Sequence, residues 1–107
     1  MHGCHGYLNA YRIGKDFHVQ AVVYNQASGE TSVHCGGYLL RKHGRGGQWL
    51  KYGRNGDPTT ELAAYWRQDG DATGFYKDPT NWWAKACVYA CLNDSETPTA
   101  THCGPAS

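Results

Sequence analysis

Aromatic side chains are concentrated in one stretch of this sequence. Six rings fall between positions 65 and 83, more than a small core readily buries: Tyr65, Trp66, Phe75, Tyr76, Trp82 and Trp83. Flat indole and phenol rings can stack on sugars or anchor a partner protein. Because each ring taken singly is more often buried than exposed, we expect part of the set to bind and part to pack. The predicted binding residues are Trp82 or Trp83, together with Tyr76 and Trp66.

A basic, glycine-rich segment is the second candidate for binding. Residues 41–54 contain five Lys or Arg and no acid, whereas residues 55–107 hold seven of the nine acids. Glycines in a loop at 41–47 would let the backbone approach a ligand closely, while Arg41, Lys42 and Arg45 supply charge for phosphates or an acidic partner. The alternative is a loop that only faces water, as most charge runs do.

The sequence contains no decisive catalytic motif. His34 precedes Cys35, and His102 precedes Cys103, so on a strand the members of each pair point to opposite faces and do not act together. A Cys–His nucleophile also needs a free, activated thiol. We therefore predict no catalytic residue, although a small secreted hydrolase or ribonuclease-like toxin remains the alternative to a binding protein.

Metal-binding patterns are incomplete. Residues 69–74, Asp-Gly-Asp-Ala-Thr-Gly, resemble the first half of a calcium loop, but the twelfth position is Thr80 instead of a bidentate acid. We interpret this segment as a tight turn. Zinc would need a second ligand cluster to join His2, Cys4 and His5, and the sequence has none at a suitable spacing. Neither a metal nor a cofactor is predicted.

The five cysteines indicate an oxidising compartment, because cytosolic proteins seldom carry so many thiols without a metal. We therefore expect a secreted, extracellular protein. On one strand Cys87 and Cys91 would stand about 13 Å apart, too far to bond each other. Cys91–Cys103 is the favoured bridge, since these residues flank a polar segment, and Cys35–Cys87 is the second. Cys4 is then left over, either free or paired with another chain.

A single domain spanning residues 1–107 must position these side chains. Glycine and aromatic residues are abundant, with fourteen of each, which favours short strands and tight turns over a helical bundle. The stretch 82–92 is the most apolar and has two largely apolar faces, as a central strand covered on both sides would. The prediction is an all-β fold, a small β-sandwich or barrel with two disulfides.

Local patterns predict several further elements. Residues 6–15 form a short first strand, residues 17–35 form a hairpin with its turn at 25–30, and residues 49–52 form another strand. Gly36 and Gly37 mark a bulge or strand corner. Helix-start signals at Asp57-Pro58-Thr59 and again at Asp78-Pro79-Thr80 leave an α+β alternative, with short helices near 58–68 and 79–92.

Charge and hydropathy restrict the partners. The formal net charge is +1, which does not favour a nucleic-acid partner. No apolar run approaches the roughly 20 residues of a membrane helix. We expect the partner to be an extracellular protein or a glycan.

The end of the chain resembles a group of known proteins. Residues 85–92, Lys-Ala-Cys-Val-Tyr-Ala-Cys-Leu, followed by Thr-His-Cys-Gly at 101–104, are similar to the last strand and closing disulfide of small secreted β-domain proteins from actinobacteria. Members of that set include binding subunits and adaptors of secreted antagonistic assemblies, such as umbrella toxin particles. The resemblance implies an extracellular interaction module, a subunit or adaptor of such a toxin assembly.

Overall fold

Nearly all regular structure in the described chain is β-strand. The computed structural model describes residues 3–26, 33–65, 68–77, 81–92 and 100–106. Its strands are β1 (Cys4–Ile13), β2 (Asp16–Asn25), β3 (Val33–His43), β4 (Leu50–Tyr52), β5 (Leu62–Ala64), β6 (Gly70–Ala72), β7 (Tyr76–Lys77), β8 (Trp82–Leu92) and β9 (His102–Cys103). A short 3-10 helix, Arg54–Gly56, lies between β4 and β5. The all-β prediction is confirmed.

The strands form two antiparallel sheets. In sheet 1 the order is β1-β2-β6, and β7 also pairs with β2. In sheet 2 the order is β4-β3-β8-β9, and β5 also pairs with β3, beyond the end of β4. The sheets pack face to face, with β1 against β8 and β2 against β3. The architecture is therefore a β-sandwich.

The β1–β2 hairpin replaces the hairpin predicted over 17–35. Ile13 pairs with Asp16, so the loop is the two residues Gly14 and Lys15, and Gly14 has φ 62°, as the first position of a type II′ turn requires. β3 pairs with no strand of sheet 1 in the described chain. The predicted hairpin is wrong because β2 and β3 lie in different sheets. Each strand has a row of buried side chains, and these two rows pack against each other in the core between the sheets. Most of the predicted turn, residues 27–30, lies outside the described residues.

The pairing of β3 with β8 is the longest ladder of sheet 2. It runs from Val33 opposite Leu92 to His43 opposite Trp82, eleven pairs in an unbroken register. The prediction of a strand at 82–92 is thereby confirmed, and the helix alternative there is wrong. The bulge predicted at Gly36 and Gly37 is also wrong, because the register passes through both.

The core consists mainly of small side chains. Its buried residues are Cys4, Val19, Ala21, Val23, Val33, Cys35, Leu39, Leu62, Ala64, Ala84, Ala86, Val88 and Ala90. The chain packs closely at glycines: a Cβ on Gly6 would lie 2.8 Å from the Cβ of Val88 in the other sheet, and one on Gly37 would overlap the carbonyl oxygen of Cys87 in the same sheet and lie 2.7 Å from Cγ2 of Val23 in the other. Larger side chains at these positions would force the sheets apart.

Between 57 and 71 the described chain forms local side-chain turns and the strands β5 and β6, and no described part of it is helical. Asp57 Oδ1 accepts from the backbone N–H of Thr59 at 2.8 Å, so the acid closes a local turn instead of starting a helix at 58. Asp71 accepts from the N–H of Ala63 at 3.0 Å and from Arg54 at 2.6 Å. Gly70 and Asp71 lie in β6, so the tight turn predicted there is wrong.

The carboxylate of Asp71 therefore holds two segments of the protein together. Among the described residues, including Asp71 and its neighbours, no group of three or more His, Cys, Asp or Glu side chains is arranged to hold a metal ion. No helix among them has the length and hydrophobicity to cross a membrane.

The disulfide pairing differs from the prediction. The bridges are Cys4–Cys35 and Cys87–Cys103, and Cys91 is a buried free thiol. Cys35 lies opposite Ala90 on the core side of the ladder, whereas Cys87 lies opposite Tyr38 on the other side, so Cys35 and Cys87 point to different faces. Cys4 is also in the core and links the two sheets, which rules out its predicted role as the unpaired cysteine. Cys103 of β9 lies directly opposite Cys87, so Cys91 has no bridge.

Peptide mapping of the unreduced protein checks this pairing. We expect peptides joined through Cys4–Cys35 and Cys87–Cys103. Because Cys91 is 3 % exposed, iodoacetamide should label it only after the chain is unfolded. A peptide joining Cys91 to Cys103, or labelling of Cys91 in the folded protein, would contradict the assignment.

Candidate functional site

The outer face of sheet 2 gathers the candidate site. Alternation sends every second residue of β3 and β8 away from the core. In register these outward pairs are His34 with Cys91, Gly36 with Tyr89, Tyr38 with Cys87, Leu40 with Lys85, and Lys42 with Trp83. β4 and β5 lie on the other side of β3 and add Lys51 and the residues that flank β5, Glu61 and Tyr65. We call this surface the outer strip.

A groove of about 490 Å³ opens at one end of the outer strip. Its walls carry three tyrosines and a histidine around one ion pair: Tyr38, Tyr65, Tyr89 and His34 with Lys51 and Glu61. The volume lies within the range of small-molecule sites. Aromatic walls around a few fixed polar groups are the usual composition of such sites.

Tyr89 forms the floor of the groove because its cross-strand neighbour is a glycine. A Cβ on Gly36 would overlap the Tyr89 ring, so the ring lies across the position that a side chain would occupy. From there the Tyr89 hydroxyl donates a hydrogen bond to Oε1 of Glu61, next to β5. The absence of a side chain at Gly36 thus allows the Tyr89 side chain of β8 to lie across β3.

Lys51 completes the polar centre of the groove. Its ammonium group donates to Oε2 of Glu61 and lies 4.5 Å from the ring centroid of Tyr38. Each oxygen of Glu61 therefore has a different donor. The four side chains of the centre come from four separate segments: Lys51 from β4, Glu61 from the residues before β5, Tyr38 from β3 and Tyr89 from β8. The centre therefore exists only in the folded protein.

The protonation states of the centre follow from its contacts. Burial alone would raise the pKa of Glu61, but the hydrogen bonds from Lys51 and Tyr89, with the positive charge of Lys51, outweigh it and hold the pKa below its usual value. Burial and the bond to Glu61 raise the pKa of Tyr89. At neutral pH Glu61 is therefore a carboxylate and Tyr89 a protonated phenol.

Tyr65 forms the rim of the groove. It is 58 % exposed, and its ring centroid lies 5.7 Å from that of His34. A ring with this exposure presents an apolar surface to solvent.

Among the described residues that line the groove, the free cysteine Cys91 is not an activated nucleophile. His34 lies opposite Cys91 in the ladder, but burial raises the pKa of the Cys91 thiol, and a nucleophilic cysteine needs a lowered one. Glu61 is the only acid among the described lining residues. The arrangement of rings and fixed charges is suited to binding.

Two of the predicted binding rings pack around an arginine. Arg41 lies in β3 and is 8 % exposed, so its assignment to a basic loop is wrong. Its guanidinium carbon lies 5.3, 5.1 and 4.5 Å from the ring centroids of Tyr52, Tyr76 and Trp82, and it donates to the carbonyl of Lys77. Tyr76 and Trp82 are half-buried. Their predicted role in binding stays a prediction.

The other predicted residues are placed differently. Lys42 and Trp83 lie on the outer strip, with the Lys42 ammonium 5.4 Å from the Trp83 ring centroid. Arg45 is exposed in the turn after β3. Trp66 lies outside the described residues. The sequence analysis named Tyr65 in the aromatic cluster but did not assign it to a site.

The centre of the groove is not predicted from the sequence. None of its four residues is among the predicted site residues: Tyr38, Lys51, Glu61 and Tyr89. One signal for them was present, an aromatic residue opposite a glycine, but it is visible only once the register of β3 and β8 is known. Lys51 and Glu61 could not be linked to Tyr38 and Tyr89 from the sequence, because they are far from these residues along the chain.

Comparison with known proteins gives no match: no family model, no curated protein and no solved structure is significantly similar to this chain. The resemblance of residues 85–92 and 101–104 to small secreted β-domain proteins therefore stays a prediction.

Substituting Gly36→Ala tests the placement of Tyr89. The new methyl group overlaps the ring and must displace it, so we expect a loss of about 1–3 kcal/mol in the free energy of unfolding, measured by urea denaturation. Gly46→Ala is the matched control, because no atom lies within 4 Å of a Cβ there. Equal stabilities of the two variants would contradict the overlap.

The lowered pKa of Glu61 predicts a pH-dependent contribution to stability. The unfolded chain binds a proton at Glu61 more readily than the folded protein. The contribution is therefore complete above the unfolded pKa of about 4.3 and is lost as the pH falls through the lower folded value. In urea titrations, the stability difference between the wild type and Glu61→Gln should be constant from about pH 8 to 6 and shrink below about pH 4.3.

Lys51→Gln provides the control for this pH dependence, because it removes one donor and the positive charge that lower the pKa of Glu61. In the Lys51→Gln background, the change with pH should be smaller. A stability difference that stays constant down to about pH 2 would show that the pKa of Glu61 is not lowered.

Proposed function

We propose that this protein is a secreted, non-enzymatic binding module and that the groove of the outer strip binds a saccharide. The observation that supports this most is the polar centre between tyrosine rings, in which Lys51 and Tyr89 hold Glu61 in place. A sugar presents apolar C–H faces, which pack on aromatic rings, and hydroxyl groups, which need fixed donors and acceptors. The groove offers both kinds of contact side by side.

The hydrogen-bonding capacity of the centre suits a hydroxyl-rich ligand. A carboxylate can accept about four hydrogen bonds, and the protein donates one to each oxygen of Glu61. About two acceptor sites therefore remain for ligand hydroxyls. Because the Glu61 side chain is already held on both oxygens, binding would lose little side-chain entropy.

The dimensions of the groove favour a glycan over a protein partner. Its volume of about 490 Å³ is that of a small-molecule site, whereas a protein partner would have to contact surface well beyond the groove, because a stable interface covers roughly 800 Å² on each partner. Two disulfides fit an extracellular location, where thiols become oxidised. A role as subunit or adaptor of a toxin assembly would place such a glycan-binding face on a larger particle.

Tyr65→Ala and Tyr7→Ala form a matched pair that tests saccharide binding. Both tyrosines are more than half exposed, at 58 % and 53 %, but Tyr7 lies in β1 of the other sheet. The wild type is first screened on a glycan array, and dissociation constants for the bound glycans are then measured by calorimetry. We expect Tyr65→Ala to weaken binding about tenfold or more, as for loss of a stacking contact, and Tyr7→Ala to leave it unchanged.

Two results would contradict the proposal. If the array shows no bound glycan, the groove is not a saccharide site. If both variants bind as the wild type does, the glycan binds elsewhere on the protein. Release of new reducing ends from a bound glycan would instead support the hydrolase alternative.

A further inference from the structure

A cluster of two lysines and two tryptophans lies beyond the groove on the outer strip. The Lys42 ammonium is 4.9 Å from the ring centroid of Trp49 and 5.4 Å from that of Trp83, and the Lys85 ammonium is 4.4 Å from Trp49. Trp49 precedes β4, while Lys42 and Trp83 are a direct pair of β3 and β8. Three segments of sheet 2 thus build the cluster, which we call the lysine–tryptophan cluster.

The positive charges of this cluster are not compensated by acids of the described chain. The salt bridges there are Lys51–Glu61, Arg54–Asp71 and Lys77–Asp16, and none involves Lys42 or Lys85. Contact with an indole ring positions an ammonium group without neutralising it, because the ring carries a quadrupole and no net charge. Residues 41–54 also contain no acid. The cluster is therefore an oriented pair of cations.

The cluster and the groove belong to one continuous surface. His34 borders the groove and Lys42 lies in the cluster, and both are outward-facing residues of β3. Tyr38, the groove residue of β3 nearest the cluster, lies four positions from Lys42, about 13 Å along the strand, and His34 lies eight positions away, about 26 Å. An extended chain of several sugar units can contact the whole groove and the cluster at once.

We propose that the ligand of the outer strip is an acidic oligosaccharide, whose carboxylate, sulfate or phosphate substituents bind Lys42 and Lys85 while one of its rings occupies the groove. This inference rests on the proposed saccharide function and specifies its ligand class. The Lys51–Glu61 pair gives the groove no net charge, so the groove favours a neutral sugar unit, whereas a polymer with a charge on every unit, such as single-stranded nucleic acid, would place an anion beside the Glu61 carboxylate. A saccharide with both acidic and neutral units can place a neutral unit in the groove and an acidic unit at the lysine–tryptophan cluster.

Paired probes that differ only in charge test the inference. Calorimetry at 50 mM NaCl would compare a galacturonate hexamer methylated on half of its carboxylates with its full methyl ester, and a hyaluronan hexasaccharide, in which acidic and neutral units alternate, with its carboxyl-reduced form. We expect the charged member of at least one pair to bind about tenfold or more tightly. That advantage should decrease at 300 mM NaCl, because salt screens charge interactions at an exposed surface.

Variants assign the effect to the cluster. Lys42→Gln and Lys85→Gln should each reduce the charged-over-neutral ratio severalfold, and the double variant should remove it. Lys42→Arg with Lys85→Arg retains the charge and should preserve the ratio. Lys15→Gln, in the exposed loop of the β1–β2 hairpin, is the control for the change in net charge and should have no effect.

The outcomes separate this inference from the proposed function. Equal binding of charged and neutral members, lost in Tyr65→Ala, would refute the acidic ligand and leave the saccharide function standing. Binding of no probe, together with no glycan on the array, would refute both. Tighter binding of a thymidine decanucleotide than of any acidic glycan, lost in the double glutamine variant, would assign the cluster to nucleic acid and overturn the inference.

Discussion

The long pairing of β3 with β8 is the constraint on which the rest of the structure depends. Because its eleven residue pairs follow one another without a break, alternation assigns every second residue of both strands to the core and the others to the outer strip. A slip of one residue would expose Leu39 and bury Lys42. The same register therefore determines which residues form the core and which form the candidate site on the opposite face of the sheet.

Two adjacent glycines of β3 serve these two sides separately. Gly37 faces the core, where the missing side chain lets Val23 of the opposite sheet approach, and Gly36 faces outward, where it lets Tyr89 lie across the strand. Neither glycine is needed for a turn. Both glycines leave space for another side chain: Gly37 for Val23, where the sheets pack, and Gly36 for Tyr89, which forms the floor of the groove.

Strands could be predicted from the sequence, but their partners could not. The alternation at 17–24 and the apolar run at 82–92 are local, and both segments are strands. The choice between pairing β2 with β3 and stacking them across the sandwich depends on contacts between distant segments. The cysteines show the same limit, because Cys35 and Cys87 could be assigned to opposite faces only from the register. The candidate site was concealed for this reason as well, since Lys51, Glu61 and Tyr89 meet only after folding.

The small side chains of the core affect how this protein can change over generations. Substitutions usually damage a protein by removing buried atoms and leaving a cavity, but alanines such as Ala21, Ala84 and Ala90 have almost nothing to remove. At these alanines a harmful substitution must instead add bulk, and added bulk is strongly disfavoured where the sheets touch. Heritable variation is thereby directed to the outer faces, which can diverge between lineages while the scaffold beneath them stays the same.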